Sequence, residues 1–131
     1  MPAYNFQKQF APAVERGDKL CTIRRKAPNV GDKAYLYTGM RTKACRPLGV
    51  GVVTKVTPFS IRELATIRTQ GSTEVQGLIS AELGDQRLTL THLNDLALKD
   101  GFESADAFAS FFKIIYGGNF DGHLIEWELR S

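Results

Sequence analysis

The stretch Gly17-Asp18-Lys19-Leu20-Cys21-Thr22-Ile23-Arg24-Arg25-Lys26 joins two kinds of structure. Upstream of it, Phe6, Phe10 and Val14 recur every four residues and stop at Gly17, the spacing of a short amphipathic helix ended by a glycine cap. Pro12 inside that spacing points to a kink or break, with a second part starting near Ala13. Over 20–25 the β-branched content reads as a strand with Thr22 and Arg24 on one face and Cys21 and Ile23 on the other. A helix end running into a strand with one hydroxyl and three consecutive cations can hold polar groups over a cleft.

Working outward, Ala27-Pro28-Asn29-Val30-Gly31-Asp32 is turn chemistry leading into a second strand, Lys33–Thr38, whose Tyr35 and Tyr37 share a face. After the basic loop Gly39-Met40-Arg41-Thr42-Lys43 comes a β-prone run over 48–59, expected to bend at Gly49 and Gly51. Past Pro58 the pattern turns towards helices, with two further extended stretches at 74–83 and 86–90 joined by Gly84-Asp85. Thr91 can cap a helix that presents Leu93, Leu96 and Ala97 and stops at Gly101. Ser104 can cap another that presents Ala105, Phe108, Phe111, Phe112 and Ile115 and stops at Gly117-Gly118, its aromatic stripe reading as core. His123-Leu124-Ile125-Glu126-Trp127-Glu128-Leu129 alternates as a closing strand. With no repeat and no linker, residues 1–131 read as one α+β domain. Its five or six strands are expected in a small β-barrel or a strongly bent, mostly antiparallel sheet with flanking helices.

The chain has 131 residues, 43% of them hydrophobic, enough for a core that needs no disulfide or metal staple. Its longest apolar runs, Phe111-Phe112 and Ile114-Ile115-Tyr116, are far short of the roughly 20 residues that span a bilayer. Met1-Pro2-Ala3-Tyr4 lacks the pattern of a secretory signal, so a cytoplasmic protein without a membrane partner is expected. Cys21, Cys45, His92 and His123 have no metal-ligand spacing, and neither a phosphate-binding glycine loop nor a G-x-S-x-G elbow is present. No metal or cofactor is therefore expected, and both thiols read as reduced.

The net charge of +3 hides a division of sign. Residues 1–62 hold 12 Lys or Arg against 3 Asp or Glu, a balance of +9, while residues 63–131 hold 5 against 11, a balance of −6. Clustered cations attract polyanions, which makes Arg24, Arg25, Lys26, Arg41, Lys43 and Arg46 a candidate phosphate-binding rim for RNA. Tyr37 is a candidate stacking platform for a base.

Four features together resemble the ASCH domain family, whose β-barrel is related to the PUA RNA-binding fold. They are the leading helix followed by Gly17-x-Lys19-x-x-Thr22-Ile23-Arg24, the turn Val30-Gly31-Asp32 entering a strand, the step Lys99-Asp100-Gly101-Phe102 before a capped helix, and a terminal strand with Ile125 and Trp127. The resemblance implies an RNA-binding or nucleoside-binding protein with a cleft lined by Lys19, Thr22 and Asp100. For one branch it implies an amidohydrolase that removes the acetyl group of N4-acetylcytidine using a lysine, a threonine and a glutamate. Lys19 and Thr22 match the first two, and the glutamate position falls on Asp100, one methylene shorter. Ribonuclease activity, attached to some members, is a further implication, although no paired histidines here suit it.

Amide hydrolysis needs a nucleophile, a base and a donor for the developing charge. In that scheme Thr22 is the nucleophile, Lys19 its base once burial or neighbouring cations lower its pKa, and Asp100 the orienting acid. Positions three apart on a regular strand face opposite ways, so Lys19 and Thr22 converge only if the chain turns between them.

Overall fold

Pro12 sets where the first helix begins. A proline is tolerated in the first turn, where its missing N–H has no partner to lose, and helix α1 spans Ala11–Arg16 with Pro12 in that turn. The four-residue recurrence of Phe6, Phe10 and Val14 is therefore not one helix. Phe6 belongs to a strand, β1 (Ala3–Phe6), that pairs in parallel with β3 (Lys33–Thr38). In this computed structural model, residues 2–68, 75–117 and 119–130 are described, so the expected ends at Glu74 and Gly118 lie outside the described residues.

Gly17 ends α1 in the left-handed region at φ 82°, as its position in the sequence suggested. The chain then folds back, with the N–H groups of Asp18 and Lys19 both donating to the Ala13 carbonyl, before β2 (Cys21–Arg24) begins. Lys19 thus precedes the strand, directly after the turn at Gly17 and Asp18, so strand alternation does not govern where its side chain lies relative to Thr22.

The long strand β4 (Arg46–Arg68) does not give way to helix at Pro58. Both of its edges are occupied there, by β5 (Val75–Leu83) and by β7 (Phe120–Leu129), and the pairing carries it on. A bulge opposite Leu36 and Tyr37 coincides with Gly49 at φ 149°. Gly51 lies in regular register and serves a different end: a Cβ there would come within 2.6 Å of the Trp127 ring. The hairpin from β5 to β6 (Gln86–Arg87) turns at Gly84, as expected.

Helix α2 (Leu90–Lys99) is capped by Thr89, whose hydroxyl accepts from the His92 N–H; Thr91 lies inside the helix and is exposed. Helix α3 (Ala105–Tyr116) is capped by Ser104 and ended by Gly117. Ile115 faces solvent at 51% exposure, and Tyr116, half-buried, takes the last place in the apolar stripe, stacked on Phe112 and tilted against Phe120.

Among the described residues the strands form one seven-stranded mixed sheet, antiparallel except for β1 with β3. β3 and β5 pair successive parts of one edge of β4, β7 pairs its other edge, and β2 pairs the far edge of β7. The end strands β1 and β2 do not pair with each other, so the sheet does not close into a barrel. One apolar cluster packs α2 and α3 on Cys21, Ile23, Phe59 and Leu124, and a second gathers Phe6, Phe10, Leu36, Ile125 and Trp127. Phe102 packs against both. No helix among the described residues is long and apolar enough to cross a membrane.

Candidate functional site

The seam left open between β1 and β2 is a cavity of about 230 Å³. Asn5 and Phe6 of β1 line one side, Thr22, Ile23 and Arg24 of β2 the other, and Lys19 and Asp100 its polar wall. Phe10, Phe102, Phe111, Phe112 and Tyr116 supply an aromatic wall. The three residues named as catalytic are thus brought together, and among the described residues they are the buried polar ones, Lys19 at 4%, Thr22 at 5% and Asp100 at 6% exposure.

Lys19 is no surface lysine. Its ammonium donates to the Cys21 carbonyl at 2.7 Å, to the Asp100 carbonyl at 2.8 Å and to the Asp100 carboxylate in a buried ion pair. All three of its protons are in use. The rings of Phe6 and Phe10 lie 5.6 and 5.4 Å from Nζ, close enough for cation–π attraction. Asp100 presents its backbone carbonyl and carboxylate Oδ1 to Lys19 as the C-cap of α2, followed by Gly101 at φ 95°. Burial pushes the Asp100 carboxyl above its ordinary range, with Lys19 and Arg24 pulling it partly back.

Thr22 is buried on β2 opposite Ile125, and its hydroxyl accepts from Arg24 Nε at 3.0 Å. Cys21 points the other way, its thiol near the Lys99 carbonyl and the Asp100 carboxylate and pushed up to about 12 by burial. It is an unreactive core group.

The expected rim divides. Arg24 lies in the cavity wall itself. Arg25 lays its guanidinium over Tyr116 and Phe120, at 5.0 and 5.6 Å from their ring centres, and Arg46 is ion-paired with Glu15. Lys26, Arg41 and Lys43 are exposed, and Arg41 takes a left-handed φ of 65°. The Met40 N–H donates to Asn5 Oδ1 at 3.0 Å, which ties the loop carrying Arg41 and Lys43 to the mouth of the cavity. Tyr37, half-buried on β3 beside Asn5, does not line the cavity.

Sequence reasoning missed β1 and the aromatic wall. Phe6 and Phe10 carry a helical spacing that hid the strand, and an aromatic stripe on a helix has no signal to separate a core from a cavity wall. Neither His92 nor His123 lines the cavity. No protein-family model, no curated protein and no solved structure matches the chain.

Proposed function

We propose that the seam between β1 and β2 binds a modified pyrimidine nucleoside and that Lys19, Thr22 and Asp100 hydrolyse an amide on its exocyclic nitrogen, N4-acetylcytidine being the type substrate. The observation that carries this is the buried Lys19–Asp100 ion pair in the wall of an aromatic-lined cavity that also holds the Thr22 hydroxyl. A buried ion pair adds little stability compared with apolar residues of similar size, so one set in a cavity wall is a candidate functional group. At about 230 Å³ the cavity lies just below the range of roughly 300–1,000 Å³ usual for ligand sites, which suits a compact ring system held between aromatic faces. The ASCH-like and PUA-like reading of the sequence points the same way.

In this reading Thr22 Oγ attacks the acetyl carbonyl carbon, and its proton passes to the Lys19–Asp100 pair. Because the ammonium is saturated, the basic site of the pair is the carboxylate, which burial makes the better acceptor. The C–N bond then breaks, the pair returns the proton to the leaving nitrogen, and water releases acetate from Thr22. In this scheme the substrate or one bridging water carries the proton between the Thr22 hydroxyl and the pair.

Incubation with N4-acetylcytidine should release cytidine, with Lys19→Ala, Thr22→Ala and Asp100→Asn each lowering kcat by roughly 10²-fold or more. Activity that survives both Lys19→Ala and Thr22→Ala overturns the assignment. A second reading, that the same site takes its nucleoside within RNA, is favoured by the hydrogen bond that seats the Arg41 and Lys43 loop at the cavity mouth. Its test is the salt dependence of RNA binding, treated below.

A further inference from the structure

Arg24 stands apart from the other basic residues singled out in the sequence, because its guanidinium faces inward and crosses the seam. Nε donates to Thr22 Oγ1 at 3.0 Å, and Nη2 donates to the Asn5 carbonyl of β1 at 2.8 Å. The rings of Tyr4 and Phe6, both on β1, lie 5.4 and 5.3 Å from the guanidinium carbon. Arg24 therefore meets the hydroxyl of its own strand with Nε and reaches across to β1 with Nη2, where the sheet lacks backbone pairing.

We propose that Arg24 is a positioning residue that activates Thr22: its planar fork, anchored on β1, fixes the Thr22 hydroxyl and stabilises the charge that grows on Oγ as the proton leaves. The proposal takes Thr22 as the nucleophile and so rests on the hydrolytic reading above. A hydroxyl can accept this bond and still donate its own proton, so the contact leaves the O–H free to go to the Lys19–Asp100 pair. A charge-assisted bond to oxygen strengthens as that oxygen becomes more negative, which favours the transition state over the ground state. Lysine is no substitute, because a point charge cannot serve Oγ and the Asn5 carbonyl in the fixed geometry of the fork. Burial lowers the Arg24 pKa, with Tyr116, Asp100 and Tyr4 opposing that change, and the group remains a cation at neutral pH. Asp100 is ion-paired with Lys19, and the Arg24 charge also acts on it, opposing the effect of burial.

The test uses an activated ester, p-nitrophenyl acetate, so that it does not depend on the natural substrate. Thr22 Oγ attacks the acetyl carbon, the Oγ proton goes to the pair, and the C–O bond breaks with its electrons on p-nitrophenolate, leaving acetyl on Thr22. Acetylation at Thr22 is followed by peptide mass spectrometry in wild type, Arg24→Gln and Arg24→Lys, with acetylation of surface lysines and a thermal melt on the same samples. Loss of one donor to a developing oxyanion typically costs about 10²-fold or more, so both variants are expected to acetylate Thr22 about 10²-fold more slowly while the surface lysines react as before. Wild-type rates at Thr22 in either folded variant overturn the proposal, as does a wild-type protein that never acetylates there. The two readings separate cleanly. If Thr22 is acetylated in an Arg24-dependent way but N4-acetylcytidine is not turned over, the substrate assignment falls and the role of Arg24 stands. If N4-acetylcytidine is turned over at full rate by Arg24→Gln, the role of Arg24 falls and the hydrolytic reading stands.

Discussion

Lys19 spends every ammonium proton inside the fold, and that makes its pairing with Asp100 asymmetric in its consequences. Removing one partner leaves a charge buried without compensation, so Lys19→Met alone is expected to cost about 3–5 kcal/mol in urea unfolding. The double replacement Lys19→Met with Asp100→Leu should recover most of that loss while abolishing turnover, which separates the functional value of the pair from its structural value. The pH dependence follows from the direction of the Asp100 shift. A carboxyl whose pKa is raised on folding, here by burial, holds its proton more tightly in the fold, so its contribution to stability is full below the ordinary 3.8 and is lost as pH climbs through the raised value. The melting temperature of wild type relative to Asp100→Asn should therefore fall as the pH rises from about 4 to 7. The two thiols also part company. Cys45 is exposed and Cys21 is buried with its pKa near 12, so a thiol reagent should titrate one group in the folded protein and two in urea.

At the scale of elements, the connections carry more of the site than the helices themselves. Ser104 and Thr89 satisfy N-terminal N–H groups, and replacing either by alanine is expected to cost about 1 kcal/mol in urea unfolding. Thr91→Ala should change stability by no more than about 0.5 kcal/mol, since Thr91 is exposed within the first turn. Gly101 is the more consequential connection. It holds φ at 95°, and a Cβ there would lie 3.0 Å from Phe10 Cδ1 and 3.5 Å from Lys19 Cδ. Gly101→Ala is expected to lose about 1–2 kcal/mol from the left-handed backbone and to lower turnover by displacing Phe10 and Lys19 together. Much of this scale was legible in residue order: the Gly17 stop, the strands at Lys33–Thr38 and in the β5–β6 hairpin, and the Ser104 and Gly117 limits of α3 all follow from local turn and capping chemistry. What was not legible is β1, because a four-residue strand acquires its identity from β3, whose paired residues lie 32 positions on in the chain, and not from its own spacing.

At the scale of the molecule, the positive half of the chain does not act as one patch. Arg46 is neutralised by Glu15, Arg25 is spread over two aromatic rings and Arg24 faces the cavity, which leaves Arg41 and Lys43 as exposed cations on a loop tied to its mouth. If RNA is the form in which the nucleoside arrives, Arg41→Ala and Lys43→Ala should each flatten the dependence of log affinity on log salt by about 0.7, whereas Arg46→Ala should change it little. RNA affinity that is undetectable at low salt, or flat between about 50 and 200 mM, removes that reading. By itself the sequence determined the α+β class, several element limits and the alternation that buries Ile125 and Trp127, because each depends on neighbours a few positions apart, whereas Lys19, Thr22 and Asp100 were singled out by a resemblance and not by local spacing. Only the tertiary structure decided that the sheet stays open between β1 and β2, that Lys19 is buried against a carboxylate 81 residues away, and that Arg24 bridges the gap. These are contacts between distant segments, and no local spacing specifies which edge is left unpaired or which charge is drawn inside to fill it.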